Sequence, residues 1–289
     1  MEAPNDAVDV IVVGAGPAGL SAALSLAREH FSVLVLEKDA IGGNLLKIAD
    51  LENYAGFMGS GAELARTMKE QAKKFGAKIE YAEVLGVLSA SLPISLSAYG
   101  EPGSGVPTPP PLTIRTGDKI YYARAVIIAN GMKQRELNIE GLKAPIHSCA
   151  TCDAPVYKDK KVAVIGGGDS AFQTALFLAG FAARVYIISR SAPRVKGTLL
   201  KRVEDNPKIT VMPETTPTRE LLDDELQIAS VFLEIGSDPH ELPRVAPELE
   251  GAPNVLRAGD CHEGTRRQVV AAAADGALAA EKIRQALNG

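Results

Sequence analysis

The stretch VDVIVVGAGPAG at residues 8–19 decides the fold of this chain. Val8–Val13 is dominated by β-branched residues, as expected for a buried parallel strand, and residues 17–30 have the pattern of a helix. Between them, Gly14-x-Gly16-x-x-Gly19 allows a tight strand-to-helix turn and lets a pyrophosphate approach the helix N-terminus. These residues predict the first half of a dinucleotide-binding βαβ unit.

An acidic residue ends the second predicted strand of this unit. Residues 32–36 form an apolar run that stops at Glu37, eighteen positions after Gly19. A carboxylate at this place accepts hydrogen bonds from the hydroxyls of a ribose. The strand, loop, helix and acid together predict a dinucleotide site, which the glycine loop alone would not.

A second strand, glycine loop and helix occur later in the chain. Lys161–Ile165 precedes the loop Gly166-x-Gly168-x-x-Ala171, a helix is expected over residues 169–180, and the next strand covers residues 183–188. The pattern predicts an α/β protein with two dinucleotide-binding units. Residues 100–111 are rich in glycine and proline and predict a surface loop or a hairpin tip.

Two cysteines three positions apart lie between the two glycine loops, in the segment Cys149-Ala150-Thr151-Cys152-Asp153. Such a pair can form a small reversible disulfide, or hold two thiols that pass two electrons onward. The carboxyl group of Asp153, directly after the second thiol, could carry the proton that travels with the electrons. The segment predicts a flavoprotein disulfide oxidoreductase.

The bulk composition excludes several classes of protein. A chain of 289 residues is long enough for about two domains, and a net charge of −4 argues against nucleic acid as a partner. Three cysteines are too few for a zinc site or an iron–sulfur cluster, so no metal site is expected. Residues 10–27 carry no charge, but glycines and Pro17 interrupt them. We therefore expect no membrane span and a cytoplasmic protein.

Over nearly its whole length the chain resembles the low-molecular-weight thioredoxin reductases. The most specific part of this resemblance is the CATCD segment, taken together with an ordered set of shorter motifs. The matching motifs are Gly14–Gly19, Gly42-Gly43-Asn44-Leu45, Glu52-Asn53-Tyr54, Ile128-Ala129-Asn130-Gly131, Cys149–Asp153, Gly166–Ala171, Gly259-Asp260 and Arg267-Gln268.

The resemblance implies a fold of two Rossmann-like, three-layer ββα domains, with the second domain inserted in the first and shortened. The FAD-binding domain would comprise residues 1–130 and 240–289, and the second domain residues 131–239, carrying the dithiol. In the first domain, Gly43 would lie against the flavin, Asn53 would face the isoalloxazine edge and Asp260 would bond the ribityl chain. The full implied set is Gly14, Gly16, Pro17, Ala18, Gly19, Glu37, Lys38, Gly43, Asn44, Leu45, Asn53, Ala129, Asn130, Gly131, Gly259, Asp260, Arg267, Gln268 and Val269.

The resemblance also implies roles around the dithiol. Cys152 would lie nearer the flavin, Cys149 would attack the disulfide of a thioredoxin-like or other protein, and Asp153 would be the acid–base group. Members of the family are usually homodimers. His147, two positions before Cys149, could tune the acidity of that thiol, and Cys261 is expected to be a packing residue.

The chain departs from the family pattern in the second nucleotide site. That site is expected to use Gly166, Gly168, Asp169, Ser170, Arg190 and Arg194. The family has His-Arg-Arg where this chain has Ser189-Arg190-Ser191, and Arg194 is one position away from a further family arginine. A 2′-phosphate needs fixed cationic donors, so the case for NADPH is weakened. The segments 214–226 and 236–259 are also shorter than in the family.

Two hypotheses follow from these departures. In one, the chain is an NADPH-dependent thioredoxin reductase with a degraded phosphate site. In the other, which we favour, it is a pyridine-nucleotide-independent relative that receives electrons from another donor, for which a ferredoxin is one candidate, and that holds a second FAD in the second domain. NADH and a non-catalytic flavin redox sensor remain alternatives.

Overall fold

The computed structural model describes residues 7–48, 50–51, 53–90, 111–147, 150–239, 243–262 and 268–288. The chain divides into two compact units, residues 1–132 with 239–289, and residues 133–238. The strands, in chain order, are β1 (Ala7–Val13), β2 (Val33–Glu37), β3 (Lys78–Tyr81), β4 (Val84–Ser89), β5 (Leu112–Thr116), β6 (Ile120–Ile128), β7 (Met132–Gln134), β8 (Ile146–His147), β9 (Lys161–Ile165), β10 (Arg184–Ile188), β11 (Ile209–Met212), β12 (Ser230–Leu233), β13 (Ser237–Pro239), β14 (Arg244–Val245) and β15 (Val255–Arg257). The α-helices are α1 (Pro17–Arg28), α2 (Gly61–Lys74), α3 (Ala150–Asp153), α4 (Asp169–Ala179), α5 (Thr198–Glu204) and α6 (Val269–Asn288).

The first unit is built on an eight-stranded sheet. β1 pairs in parallel with β2 on one side and with β6 on the other, and β3 extends the sheet beyond β2. β6 then pairs antiparallel with β5, and β5 with β4. The two short strands β14 and β15 add to β4 and β6. The predicted β1–α1–β2 unit is therefore present at the centre of this sheet.

Alternate residues of β1 enter different hydrophobic clusters, because successive side chains of a strand point to opposite faces. Val10 and Val12 pack with Leu20 of α1 and Ile283 of α6. Ile11 packs in a second cluster that includes residues of β4 and β5. The first unit therefore has a helical layer, a central layer of parallel strands and a layer of antiparallel strands, as the three-layer prediction requires.

The second unit is built on five parallel strands in the order β11-β10-β9-β12-β8. Helices α4 and α5 supply Phe172 and Val203 to the cluster on one face. The other face packs against Leu222 and its neighbours, from the single π-helical segment Glu220–Glu225. Residues 213–229 are all described and contain no strand. The third layer of this unit is thus reduced to a short helical segment and loops, in keeping with the shortening seen in the sequence.

Among the residues that the structure describes, no helix is both long enough and apolar enough to cross a membrane. Residues 10–27 carry no charge and could be mistaken for a membrane span. In the structure they are divided between β1, the glycine loop and α1. The glycine- and proline-rich segment lies outside the described residues from Gly100 to Pro110, so the surface loop predicted there stays a prediction.

Candidate functional site

The glycine loop of the first unit has the shape that a diphosphate needs. A Cβ on Gly14 would lie 2.5 Å from the carbonyl oxygen of Ala129, and a Cβ on Gly19 would lie 1.9 Å from that of Gly14, so neither position accepts a side chain. Gly16 differs, because a Cβ there would meet no atom of the described structure within 4 Å. Gly16 is also the N-cap of α1 and offers no side chain to the first turn. The helix N–H groups therefore face open space that an anion can enter.

Glu37 is fixed beside this loop. Its side chain is only 8% exposed, Oε2 accepts the N–H of Ala15 at 2.7 Å, and Oε1 accepts the N–H of Asp39 at 2.8 Å. A carboxylate has about four acceptor positions, so each oxygen can still accept a hydroxyl hydrogen. The position at the end of β2 and the orientation fixed by these two hydrogen bonds are compatible with a ribose diol, and the role of Glu37 there stays a prediction.

Two further backbone segments of the same unit come close to the loop. The N–H of Gly42 donates to the carbonyl of Ala15 at 2.8 Å, and the Cα of Gly16 is the nearest neighbour of a Cβ built on Gly43. A Cβ on Gly259 would lie 2.7 Å from the Cβ of Ala18 in the first turn of α1. The segments around Gly43 and Gly259, far apart in sequence, are therefore brought together with the first glycine loop.

The other predicted flavin-site residues of the first unit differ in environment. Asn44 donates from Nδ2 to the carbonyl of Met132 at 2.9 Å, whereas Leu45 is buried in the core and Asn53 is exposed. The Nζ atom of Lys38 lies 3.8 Å from Oε1 of Glu83. The remaining members occupy the first turn of α1, the segment after β6, the short helix Gly259–Cys261 and the start of α6: Pro17, Ala18, Ala129, Asn130, Gly131, Asp260, Gln268 and Val269. Arg267 lies outside the described residues.

The second glycine loop packs closely against neighbouring residues of its own unit. A Cβ on Gly166 would lie 2.3 Å from the carbonyl oxygen of Glu234, and Gly168 is the N-cap of α4. The N–H of Arg194 donates to the carbonyl of Gly167 at 2.8 Å, and a guanidinium nitrogen of Arg194 lies 3.7 Å from a Cβ built on Gly168. The sequence suggested that Arg194 is out of register, but the fold places its charge at the start of α4.

The position after β10 holds little positive charge. Ser189 is buried, and its hydroxyl donates to the carbonyl of Ser191 at 2.8 Å. Arg190 is exposed and lines a cavity of about 720 Å³ in the second unit, together with Ile165 and Ile235. These residues mark the carboxyl ends of β9, β10 and β12, where open parallel sheets bind ligands. Asp169 and Ser170, also predicted for this site, are exposed at the start of α4.

The described part of the dithiol segment carries a chain of hydrogen bonds. The backbone from Ala150 to Asp153 forms the short helix α3, and Asp153 Oδ2 lies 2.9 Å from His147 Nδ1. His147 Nε2 lies 2.7 Å from the hydroxyl oxygen of Tyr157. Cys149 and the side chain of Cys152 lie outside the described part of the structure, so their positions stay predictions.

Comparisons with known proteins agree with this arrangement. Residues 8–243 match the family model of the pyridine nucleotide-disulphide oxidoreductases. The chain is 36% identical to the thioredoxin reductase of Treponema pallidum, with 94% of each chain covered, and 31% identical to that of Bacillus subtilis, with 96% of this chain and 93% of that relative covered. The chain belongs to the thioredoxin reductase family.

A solved structure supports the family fold over nearly the whole chain. The thioredoxin reductase of Lactococcus lactis aligns with a TM-score of 0.80 and 25% identity, covering 97% of this chain and 99% of that one. As a member of the family, the chain is a flavin-dependent disulfide oxidoreductase. The residues around Gly16 and Glu37 fit the diphosphate and ribose of FAD.

Two residues of this reductase that contact predicted site residues or their neighbours were not singled out from the sequence. Asp275 of α6 accepts the N–H of Gly259 at 2.8 Å and lies 3.0 Å from His262 Nδ1, so it holds the Gly259 turn in place. Its only signal in the sequence is an acid after four alanines. Tyr157, the partner of His147, has no signal, because an aromatic residue at the end of a short helix is ordinary.

The third cysteine gives a direct test of the reductase fold. Cys261 is 7% exposed, and burial raises the pKa of its thiol, although backbone hydrogen bonds act in the opposite direction. A thiol with a raised pKa forms less thiolate at a given pH, and the thiolate is the nucleophile. We expect Cys261 to escape iodoacetamide in the native protein at pH 8 and to react after unfolding in guanidinium. Peptide mass spectrometry measures this, and rapid labelling in the native state would contradict the burial.

Proposed function

We propose that this reductase moves two electrons from FAD in the first unit through the dithiol of Cys149 and Cys152 to the disulfide of a thioredoxin-like protein. We further propose that the electrons do not come from NADPH, and that the second glycine loop holds a second FAD. When bound, FAD supplies the electron pair that reduces the Cys149–Cys152 disulfide. The relatives from Treponema pallidum and Bacillus subtilis are both named thioredoxin reductases, which supports a thioredoxin-like partner.

The dithiol step follows the chemistry of disulfide exchange. The thiolate of Cys149 attacks one sulfur of the partner, which breaks the partner disulfide and forms a mixed disulfide. Cys152 then attacks Cys149, which releases the partner as a dithiol and closes the Cys149–Cys152 disulfide. The pair loses two electrons and two protons, and the partner gains them. Asp153 accepts a proton from the dithiol, so that an attacking thiolate can form.

The position of Arg194 is the observation that carries the proposal for the second site. Its backbone is tied to Gly167 and its guanidinium lies at the start of α4, where the diphosphate of a bound dinucleotide sits. The position after β10, where an arginine accommodates a 2′-phosphate, has the neutral Ser189 turned into its own backbone. Such a distribution favours a dinucleotide without a 2′-phosphate. FAD and NADH both meet this condition, and we propose FAD.

One observation favours the second candidate, an NADPH-dependent thioredoxin reductase. Arg190 lines the cavity at the carboxyl ends of β9, β10 and β12, and a volume of about 720 Å³ is large enough for a nucleotide. One exposed arginine gives a 2′-phosphate a single cationic side chain. We therefore place this candidate second.

The proposal predicts a flavin-to-protein ratio of about two in the purified protein, one FAD for each glycine loop. The variant Gly168→Val should lower the ratio to about one, because its side chain would enter the space above the start of α4 where the diphosphate binds. Flavin released by acid is measured against protein. A ratio of about one in the unmodified protein, unchanged in Gly168→Val, would contradict the second FAD.

A further inference from the structure

We propose that His147 is a positioning residue that orients the carboxyl group of Asp153 and is itself fixed by Tyr157. This inference rests on the proposed acid–base role of Asp153 and extends it to two residues that the family resemblance does not assign. It stands on the contacts of His147 with Asp153, Tyr157 and Phe232.

His147 is held in one orientation by its neighbours. It is the last residue of β8 and lies opposite Phe232 of β12 in the sheet register. The imidazole stacks on Phe232 with ring centroids 5.4 Å apart and 27° between planes, and the ring of Tyr157 meets it edge-on at 5.3 Å. Phe232 is buried in the core, so the support beneath the imidazole is rigid.

Both ring nitrogens of His147 have partners of suitable chemistry. Nδ1 lies 2.9 Å from Asp153 Oδ2, and Nε2 lies 2.7 Å from the hydroxyl oxygen of Tyr157. With Asp153 ionised, the carboxylate can only accept, so Nδ1 carries the hydrogen and Nε2 accepts from Tyr157. When Asp153 takes a proton on Oδ1, Oδ2 can still accept from Nδ1–H and Nε2 can still accept from Tyr157, so both contacts persist through the proton transfer.

The two contacts therefore hold the Asp153 carboxyl in one orientation while it exchanges a proton with the dithiol. Oδ2 lies on the imidazole Nδ1–H, so the other oxygen, Oδ1, is the one that takes the thiol proton. The side chain of Asp153 is 33% exposed, so water can take this proton and return Asp153 to the ionised form needed for the next thiol proton.

The test follows the reaction of the pre-reduced dithiol with the small aromatic disulfide DTNB by stopped flow. This reaction needs no electron donor. His147→Phe keeps an aromatic ring for packing on Phe232 but loses both nitrogens, and Tyr157→Phe loses only the hydroxyl. We expect both to react about 100-fold more slowly than the unmodified protein, within the range of general acid–base effects, with unchanged thermal stability. His262→Phe removes the other His–Asp pair and should leave the rate unchanged.

Chemical rescue separates positioning by the ring nitrogens from simple packing. In His147→Ala, added imidazole should restore the rate in proportion to its concentration, and 1-methylimidazole, which lacks a ring N–H, should not. Asp153→Asn is measured in parallel. If Asp153→Asn reacts at the unmodified rate, the proposed role of Asp153 fails. If Asp153→Asn is slow while His147→Phe reacts normally, or if both imidazoles restore His147→Ala equally, the positioning role of His147 is wrong and the proposed function stands.

Discussion

Cys152→Ser should keep its flavin and lose disulfide reduction. A serine oxygen cannot form the bond to Cys149 that releases the partner, so the reaction stops at the mixed disulfide. Loss of an obligatory nucleophile costs on the order of 10⁴-fold or more in turnover. The flavin contacts proposed for the first unit, around Gly16 and Glu37, belong to other segments of the chain. Turnover with a thioredoxin and flavin content by visible absorbance measure the two properties separately.

Cys261→Ser is the matched control for this variant. It removes a buried thiol of the first unit that takes no part in the proposed exchange, and it should retain both flavin and turnover. Normal turnover in Cys152→Ser would show that the dithiol assignment is wrong. An unmodified protein that binds flavin but reduces no disulfide would instead favour the redox sensor among the alternatives.

Gly16→Val should fold and lose the first FAD. The backbone of Gly16 is extended, with φ −76° and ψ −174°, which valine adopts without strain. Replacing this N-cap costs about 1 kcal/mol of stability, so the fold should survive. The new side chain would fill the space at the start of α1 that the diphosphate enters. We expect flavin affinity to fall at least about 100-fold, or about 3 kcal/mol.

Gly117→Val provides the comparison for Gly16→Val. A Cβ at Gly117 also meets no atom within 4 Å, but the residue lies in the turn between β5 and β6. Fluorescence titration of the apoprotein with FAD measures the affinity, and circular dichroism verifies the fold. Equal affinity of the two variants would mean that the diphosphate does not bind at the first glycine loop.

The sequence was sufficient to predict the parts of the fold that local rules determine. The strand before Gly14, the turn at Gly14 and Gly19, and the acid at the end of β2 each follow from residues close together in the chain, and all are found. The same holds for β9, the Gly166 loop and α4.

Contacts between distant segments could not be predicted in this way. Arg194 seemed misplaced when counted along the sequence, yet a backbone hydrogen bond to Gly167 brings its charge to the start of α4. Asp275 supports Gly259 across sixteen positions. Each of these depends on how one segment folds back on another, which no local pattern encodes.

The central claim is that the electrons do not come from NADPH. Anaerobic titration of the purified protein with NADPH, and then with NADH, tests it most directly. We expect that neither nucleotide bleaches the flavin absorbance, whereas dithionite bleaches it and produces the two thiols of Cys149 and Cys152. Rapid bleaching by NADPH, with the same two thiols appearing, would contradict the account and establish an ordinary NADPH-dependent thioredoxin reductase.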